Sequence, residues 1–273
     1  MPLPVGGPAP FRRTPVWWRD ADKKKMLILE RRLEVLNILS AGAAQAVVAP
    51  LAHKLQQESP ATVNVCYGAV QSMKSRVLVG EPVDVIVLTD ALLDELVLKN
   101  LVVPGSRTEL GTVGTGLAVR AGTPVPDVAS LQALRATLLA AKKIICPDPA
   151  VATAGKVLLT VLERLGISEQ TRPRLLYCSS GLEAVARLAQ GAGPQEIGVM
   201  QMTEIIAGAD MALAGPLPAE LQSQVIYSAG LAVHAQSPER AREFMRRLAG
   251  DRQALRVAGF GEGQGADDAP TTI

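Results

Sequence analysis

From Val35 onwards, short apolar runs alternate with amphipathic stretches along most of the chain. The runs at Val35–Leu39, Thr62–Tyr67 and Val83–Leu88 have the length and composition of buried strands. The stretch that follows the first run repeats apolar residues at helical spacing over 47–55. Strands that alternate with helices are typical of an α/β protein with mostly parallel strands.

The second half of the chain continues this alternation. Gly111–Val119 is apolar and contains several glycines, and we predict one strand that crosses between two domains. We predict a loop over 214–220, where Pro and Gly are frequent. Further strands are predicted at Ile144–Cys146, Arg174–Cys178, Ile197–Met200 and Val225–Val233.

The first predicted strand ends in small residues, at 40–45, that lead directly into a helix. The N–H groups of a first helical turn have no partner within the helix, and the helix dipole favours an anion there. Similar turns follow strands at 68–72, 148–155 and 179–182, and Gln201 follows a fifth strand. Because ligands of open α/β sheets bind outside the carboxyl ends of the strands, these turns together predict a small anionic ligand. The predicted ligand-binding residues are Ser40, Ala41, Ala43, Gln45, Val70, Gln71, Ser72, Thr153, Ala154, Ser180, Leu182 and Gln201.

Composition narrows the classes of function. Charge is nearly balanced, with 28 Lys+Arg against 26 Asp+Glu, and only 3% of residues are aromatic, so nothing favours a nucleic-acid partner. The three cysteines have no CxxC spacing and the two histidines are far apart. These counts argue against a disulfide framework and predict no metal site.

The first residues predict no export signal. The basic run at 23–25 is followed by only four apolar residues, which is too short for the core of a signal peptide. No window reaches the roughly 18 apolar residues of a membrane helix. We therefore expect a cytoplasmic protein without membrane insertion, or a periplasmic one if the start is misassigned or export is non-standard. We also expect a loose extension at 1–33 and a flexible tail at 261–273.

Five segments carry a resemblance to a known family: Leu36–Gln45, Lys74–Asp94, Gly116–Gly122, Glu196–Glu204 and Gly215–Gly230. In these segments the chain resembles the molybdate-binding-protein branch of the type 2 periplasmic binding proteins. The resemblance implies a monomeric α/β protein of two lobes, each with a mixed sheet flanked by helices, and a ligand cleft between them. It implies a first lobe at 34–114 plus 228–260 and a second lobe at 115–227.

Three positions depart from the molybdate receptors of that family. Where these receptors have two serines and a tyrosine that donate to the oxyanion, this sequence has Ala43, Val70 and Gln201. Each lost hydrogen bond to a charged group costs roughly 1.5–3 kcal/mol, so the resemblance does not favour molybdate. The chain is also similar to the aconitate isomerase type within this branch, notably at Ala118–Pro124 and around Arg76 and Glu81.

This second resemblance implies a cofactor-independent isomerase of a small unsaturated polycarboxylate, a di- or tricarboxylate. An allylic shift needs a base, and helix N-termini can hold the developing charge. Lys74 and Glu183 are the candidate catalytic residues, although a surface lysine and a helix-start carboxylate are equally ordinary structural features. The alternative is a solute-binding protein of an ABC-type importer, for molybdate, another oxyanion or an organic acid, with an ABC permease as partner. A ligand-sensing module is a third possibility.

Overall fold

The computed structural model describes residues 35–59, 62–191, 193 and 195–262. The predicted extension at 1–33 and the predicted tail from residue 263 lie outside this part of the chain. Gly261, which the sequence placed in the tail, pairs with Thr112 through two backbone hydrogen bonds of 2.8 and 3.2 Å.

Ten strands form within the described residues. They are β1 Val35–Ala41, β2 Thr62–Gly68, β3 Val85–Thr89, β4 Thr108–Val113, β5 Thr115–Arg120, β6 Lys143–Pro147, β7 Leu175–Cys178, β8 Glu196–Gln201, β9 Met211–Pro216 and β10 Val225–Leu231.

The α-helices of the same residues lie mainly between the strands. They are α1 Gln45–Glu58, α2 Val70–Leu78, α3 Asp90–Leu98, α4 Leu131–Ala140, α5 Thr153–Arg164, α6 Ser168–Thr171, α7 Gly181–Ala189, α8 Met202–Ala207, α9 Pro238–Gly250 and α10 Arg252–Val257. Two 3-10 turns, Gly42–Ala44 and Arg172–Arg174, precede α1 and β7.

Two five-stranded mixed sheets organise the fold. The first has the order β2-β1-β3-β10-β4, in which β1, β2 and β3 are parallel and β10 runs antiparallel to both of its neighbours. The second has the order β7-β6-β8-β5-β9, with the same pattern of three parallel strands and an antiparallel fourth strand, β5. The central strand β3 is buried throughout, as expected for a strand covered on both faces. The predicted α/β class with mixed sheets flanked by helices is confirmed.

The chain crosses between the sheets at Gly114. The prediction of one strand over Gly111–Val119 was wrong, because the run divides there into β4 of the first sheet and β5 of the second. The predicted loop at 214–220 was also wrong in part, since its first residues belong to the edge strand β9. The chain returns with β10, which begins at Val225, ahead of the predicted return to the first lobe at residue 228.

One amide side chain joins the two connections between the sheets. Gln222 lies on the return from β9 to β10, and its Oε1 accepts from the N–H of Thr115 at 2.9 Å. Its Nε2 donates to the carbonyl of Thr115, also at 2.9 Å. A Cβ at Gly114 would lie 3.1 Å from Cδ of Gln222, so the glycine leaves room for this amide. The crossing is thus fixed by a contact between segments far apart in sequence.

A buried carboxylate fixes the far end of the first sheet. Asp84 is 1% exposed, and its Oδ2 accepts from the N–H of Asn37 at 2.8 Å. Its Oδ1 accepts from the N–H groups of Gln236 at 2.6 Å and Ser237 at 3.0 Å. Ser237 is the residue before α9, so one side chain joins β1 to the start of that helix.

No helix of the described residues is long and apolar enough to cross a membrane. The cytoplasmic location and the monomeric state stay predictions.

Replacing Asp84 by asparagine keeps the side-chain shape but turns an NH₂ group towards backbone N–H donors. We expect Asp84→Asn to lower the free energy of unfolding by about 2–3 kcal/mol, because a buried donor loses its charged acceptor. Urea denaturation measures this change. Asp94→Asn is the matched control, since Asp94 is 61% exposed and pairs with Arg107 at the surface. The control should change stability by about 0–1 kcal/mol, and equal losses in the two variants would contradict the role given to Asp84.

Candidate ligand-binding cleft

The carboxyl ends of both sets of parallel strands open onto one small cavity between the lobes. Its volume is about 20 Å³, which holds no more than a water molecule, so the cleft is closed. The lining residues come from both lobes and are mostly small. They are Ala41, Gly42, Ala43, Gly68, Ala69, Val70, Pro147, Ala152, Thr153, Ala154, Gly181, Gln201, Glu204 and Tyr227.

Three helical segments begin at this cavity without a side-chain cap. Ala41, Ala69 and Ala152 are the cap residues of the 3-10 turn before α1, of α2 and of α5, and none of their side chains can accept a hydrogen bond. The first N–H groups of these segments therefore have no side-chain acceptor, which favours an anion at these helix starts. Among them the N–H of Gln71, in the first turn of α2, already donates to the carbonyl of Val151 at 3.1 Å. The start of α7 differs, because the hydroxyl of Ser180 accepts from the N–H of Glu183 at 3.2 Å.

Glu204 is the one carboxyl group on the cavity wall within the described residues. It lies in the first turn of α8 and is 7% exposed. Burial penalises its charged form and raises its pKa to about 7, while a hydrogen bond from the backbone of Gln201 offsets the shift in part. A carboxyl group with a pKa near neutrality can take up or release a proton under physiological conditions.

Two glycines, one from each lobe, make room for this carboxyl group. A Cβ at Gly181, at the start of α7, would lie 1.8 Å from Oε2 of Glu204. A Cβ at Gly42, in the turn after β1, would lie 2.9 Å from Oε1. The carboxyl group of the second lobe therefore packs directly against the backbone of the first.

Tyr227 and Gln201 supply the other polar groups at the centre of the cleft. Tyr227 belongs to β10 of the first sheet, and its Oη accepts from Nε2 of Gln201, on β8 of the second sheet, at 3.4 Å. Oε1 of Gln201 is buried without a hydrogen-bond partner. Burial and the nearby carboxyl group of Glu204 raise the pKa of Tyr227 well above its usual range, so the phenol stays protonated.

The structure brings half of the predicted ligand-binding residues to this cavity. The ones that line it are Ala41, Ala43, Val70, Thr153, Ala154 and Gln201. Their roles in binding stay predictions.

The remaining predicted residues do not line the cavity. Ser40 is buried and its hydroxyl donates to the carbonyl of Ala41 at 3.0 Å, while Leu182 packs against Gly42. Gln71 closes the cleft through its backbone, since its N–H donates to the carbonyl of Val151 across the lobes at 3.1 Å. Gln45, Ser72 and Ser180 are partly exposed and also lie outside the lining.

The structure places both predicted catalytic residues away from the cavity. Lys74 pairs with Glu95 of α3, because its position one turn into α2 directs it towards the neighbouring helix. Glu183 is exposed and accepts from the N–H of Ser179 at 2.7 Å and from its hydroxyl at 2.5 Å. These hydrogen bonds lower the pKa of Glu183, so it is a structural carboxylate at the start of α7.

Glu204 and Tyr227 were missed by the sequence analysis. The signal for Glu204 was present, because it ends the Glu196–Glu204 segment and follows a buried strand. A glutamate at the third position of a helix is usually interpreted as half of a capping box, and Glu204 does accept from the backbone of Gln201. Nothing local in the sequence distinguishes that role from a buried site carboxyl.

Comparison with known proteins agrees with this geometry. A model of the bacterial extracellular solute-binding protein family matches residues 36–261. The chain belongs to this family.

Individual members of the solute-binding family and its structural neighbours extend the comparison. The aconitate isomerase of a Pseudomonas species is 25% identical over 228 residues, which are 82% of this chain and 85% of that protein. The periplasmic molybdate-binding protein of Azotobacter vinelandii has a TM-score of 0.69 at 21% identity, over 84% of this chain and 100% of that one. The sulfate-binding protein SubI of Mycobacterium tuberculosis has a TM-score of 0.63 at 18% identity, over 86% and 88%. At these identities the structural likeness shows the fold, and the predicted two-lobed periplasmic-binding-protein-like fold is confirmed.

The raised pKa of Glu204 predicts a pH-dependent stability. Its pKa is about 7 in the folded protein and near its ordinary 4.5 in the unfolded chain. The folded state therefore binds the proton more tightly, and stability falls as pH rises from 4.5 through 7. We expect this loss to approach roughly 3 kcal/mol in the wild type and to be absent in Glu204→Gln. Urea denaturation at pH 5 and pH 8 measures the difference.

Glu183→Gln is the control for this prediction. Because the pKa of Glu183 is lowered, its removal should act in the opposite direction, and only weakly for so exposed a group. A Glu204→Gln variant with the same pH dependence as the wild type would contradict the assignment.

Proposed function

We propose that the protein is a cofactor-independent isomerase that shifts the double bond of a small unsaturated di- or tricarboxylate. The observation that carries the proposal is the carboxyl group of Glu204, which is buried in the inter-lobe cleft and has a pKa near 7. A base with this pKa is suited to removing a proton at neutral pH. The likeness to the aconitate isomerase of a Pseudomonas species supports this reaction class.

The cleft offers what an allylic proton shift requires besides a base. Removing a proton next to a carboxylate builds up negative charge on that carboxylate. The uncapped helix starts that follow Ala41, Ala69 and Ala152 can donate N–H hydrogen bonds to this carboxylate and stabilise its charge. Lys74 and Glu183, the sequence-based candidates, have no part in this arrangement.

The lining favours a carboxylate attached to a carbon skeleton. Ala43 and Val70 present alkyl groups beside the N–H donors. A cavity of about 20 Å³ cannot hold such a skeleton, so the lobes have to separate for the substrate to enter. The hydrogen bond from Gln71 to Val151 joins the lobes at this cleft and would break on opening.

The proposal predicts isomerisation of trans-aconitate by the wild-type protein, followed by NMR of the olefinic protons in D₂O. Glu204→Gln should lower kcat by about 100- to 10,000-fold, because the amide cannot accept a proton. Glu169→Gln should leave the rate unchanged, since Glu169 is a surface residue that pairs with Arg172. If the wild type produces neither the isomer nor solvent exchange, the function is wrong for this substrate. If Glu204→Gln retains wild-type kcat, Glu204 is not the base.

A second candidate function is that of a solute receptor for an oxyanion or organic acid. The three uncapped helix starts favour it, because they can bind an anion without any chemistry. Membership of the solute-binding family is compatible with both functions.

Thermal-shift measurements distinguish the two candidates. We expect tricarboxylates to raise the Tm of the wild type and molybdate to have no effect, because Ala43 and Val70 provide no hydroxyl donors. The double variant Ala43→Ser/Val70→Ser should gain a response to molybdate. If molybdate raises the Tm of the wild type and no carboxylate does, the isomerase proposal is wrong and the receptor function is favoured.

A further inference from the structure

We propose that Tyr227 is the general acid that completes the proton shift begun by Glu204, so that base and acid reach the substrate from opposite lobes. The inference rests on the proposed isomerase function and adds the second half of its chemistry.

Position is the first argument. Among the described residues that line the cavity, Glu204 and Tyr227 are the two with titratable side chains. Glu204 follows β8 of the second sheet, whereas Tyr227 lies within β10 of the first. A 1,3-proton shift needs a proton acceptor at one carbon and a proton donor at another. The cavity provides one candidate for each role.

The phenol of Tyr227 is held rigidly. It is 2% exposed, and its ring packs edge-on against Phe260 with centroids 6.4 Å apart. In the sheet, the backbone of Tyr227 lies opposite Thr89 of β3 on one side and Gly111 of β4 on the other. These contacts fix the orientation of the ring and therefore the position of its hydroxyl group at the cavity.

The hydrogen bond to Gln201 leaves the phenolic proton available. Nε2 of Gln201 donates to Oη of Tyr227 at 3.4 Å, so the hydroxyl acts as an acceptor in this contact. The same donor would stabilise a phenolate after proton transfer. Gln201 is thereby a positioning residue for Tyr227.

The two side chains differ in which form each adopts near neutral pH. Glu204 can lose its proton in this range, whereas Tyr227 keeps its own. Opposite protonation states of two groups in one site assign the roles of base and acid.

The proposed step is balanced without a further reactant. The carboxylate of Glu204 takes a proton from the CH₂ group next to a substrate carboxylate, and the C–H electron pair forms the new double bond. The pair of the old double bond moves to the far carbon, which takes the proton of the Tyr227 hydroxyl. After the product leaves, Glu204 gives its proton to water and the phenolate of Tyr227 takes a proton from water, which restores the starting state.

The test begins with Tyr227→Phe, which keeps the ring and removes the proton. We expect kcat for trans-aconitate to fall about 100- to 10,000-fold with little change in KM, while Tyr177→Phe, at a half-exposed position of β7, retains wild-type activity. Tm and tricarboxylate binding verify that Tyr227→Phe is folded. A folded Tyr227→Phe variant that retains wild-type kcat would overturn the assignment.

Isotope content gives a readout that a merely structural tyrosine would not affect. In D₂O the phenol carries solvent deuterium, so the wild-type product should carry deuterium at the receiving carbon in every turnover. A product that keeps the substrate hydrogen there would show that Glu204 carries the proton alone, and would overturn the role of Tyr227.

Incorporation of fluorotyrosine at residue 227 tests the general-acid role even if Tyr227→Phe does not fold. The chain has three tyrosines, so in a Tyr67→Phe/Tyr177→Phe background only residue 227 carries the label. Because fluorine lowers the phenol pKa, the alkaline limb of the pH–rate profile should move to lower pH, and an unmoved limb would contradict the proposal. If the wild type shows no turnover, the isomerase function and the role of Tyr227 are both wrong. If the wild type turns over but one of the three Tyr227 tests gives the contrary result, only the role of Tyr227 is wrong.

Discussion

The closed form of the protein depends on the packing of one carboxyl group between two backbones. The carboxyl group of Glu204 contacts Gly181 of its own lobe and Gly42 of the other, and neither position has space for a Cβ. Because one wall belongs to each lobe, separating the lobes removes Gly42 and returns water to the carboxyl group. Its pKa should then fall towards the ordinary value, since burial is the main cause of the shift. Closing the cleft and raising the proton affinity of the site are therefore the same event.

Other contacts restrict how the lobes can move. Gln222 binds both the N–H and the carbonyl of Thr115, so it holds the outgoing and returning connections together. At the cleft, two hydrogen bonds join the lobes, from Gln71 to Val151 and from Gln201 to Tyr227. Both would break if the cleft opened. The sheets on either side are continuous hydrogen-bonded units. The opening required by the proposed function would therefore turn at the crossing near Gly114 and would separate the polar groups of the site.

The sequence predicts local features of this protein better than contacts between distant segments. The strand β1 and the small-residue turn after it were predictable because both signals lie within ten residues of chain. The division at Gly114 was not, because it depends on pairing with strands far away in the sequence, β10 for β4 and β8 and β9 for β5. Glu204 was missed for the same reason, since its environment depends on Gly42. Lys74 and Glu183 were chosen for their closeness in sequence to the turns, whereas the direction of a side chain on its helix decides what it contacts.

The same buried carboxyl group bears on the choice between receptor and enzyme. At an effective dielectric of about 20, two like charges 4 Å apart repel by about 4 kcal/mol. An anionic ligand in this cleft therefore raises the pKa of Glu204 further, so that a larger share of the bound protein carries the proton and the ionised carboxylate is the minor form. For a receptor this linkage only weakens binding as pH rises. For a catalyst of proton transfer, the higher pKa makes the ionised form of Glu204 a stronger base beside the bound substrate, with Tyr227 available on the facing lobe. The carboxyl group is thus a cost to an anion receptor and a requirement for the isomerase.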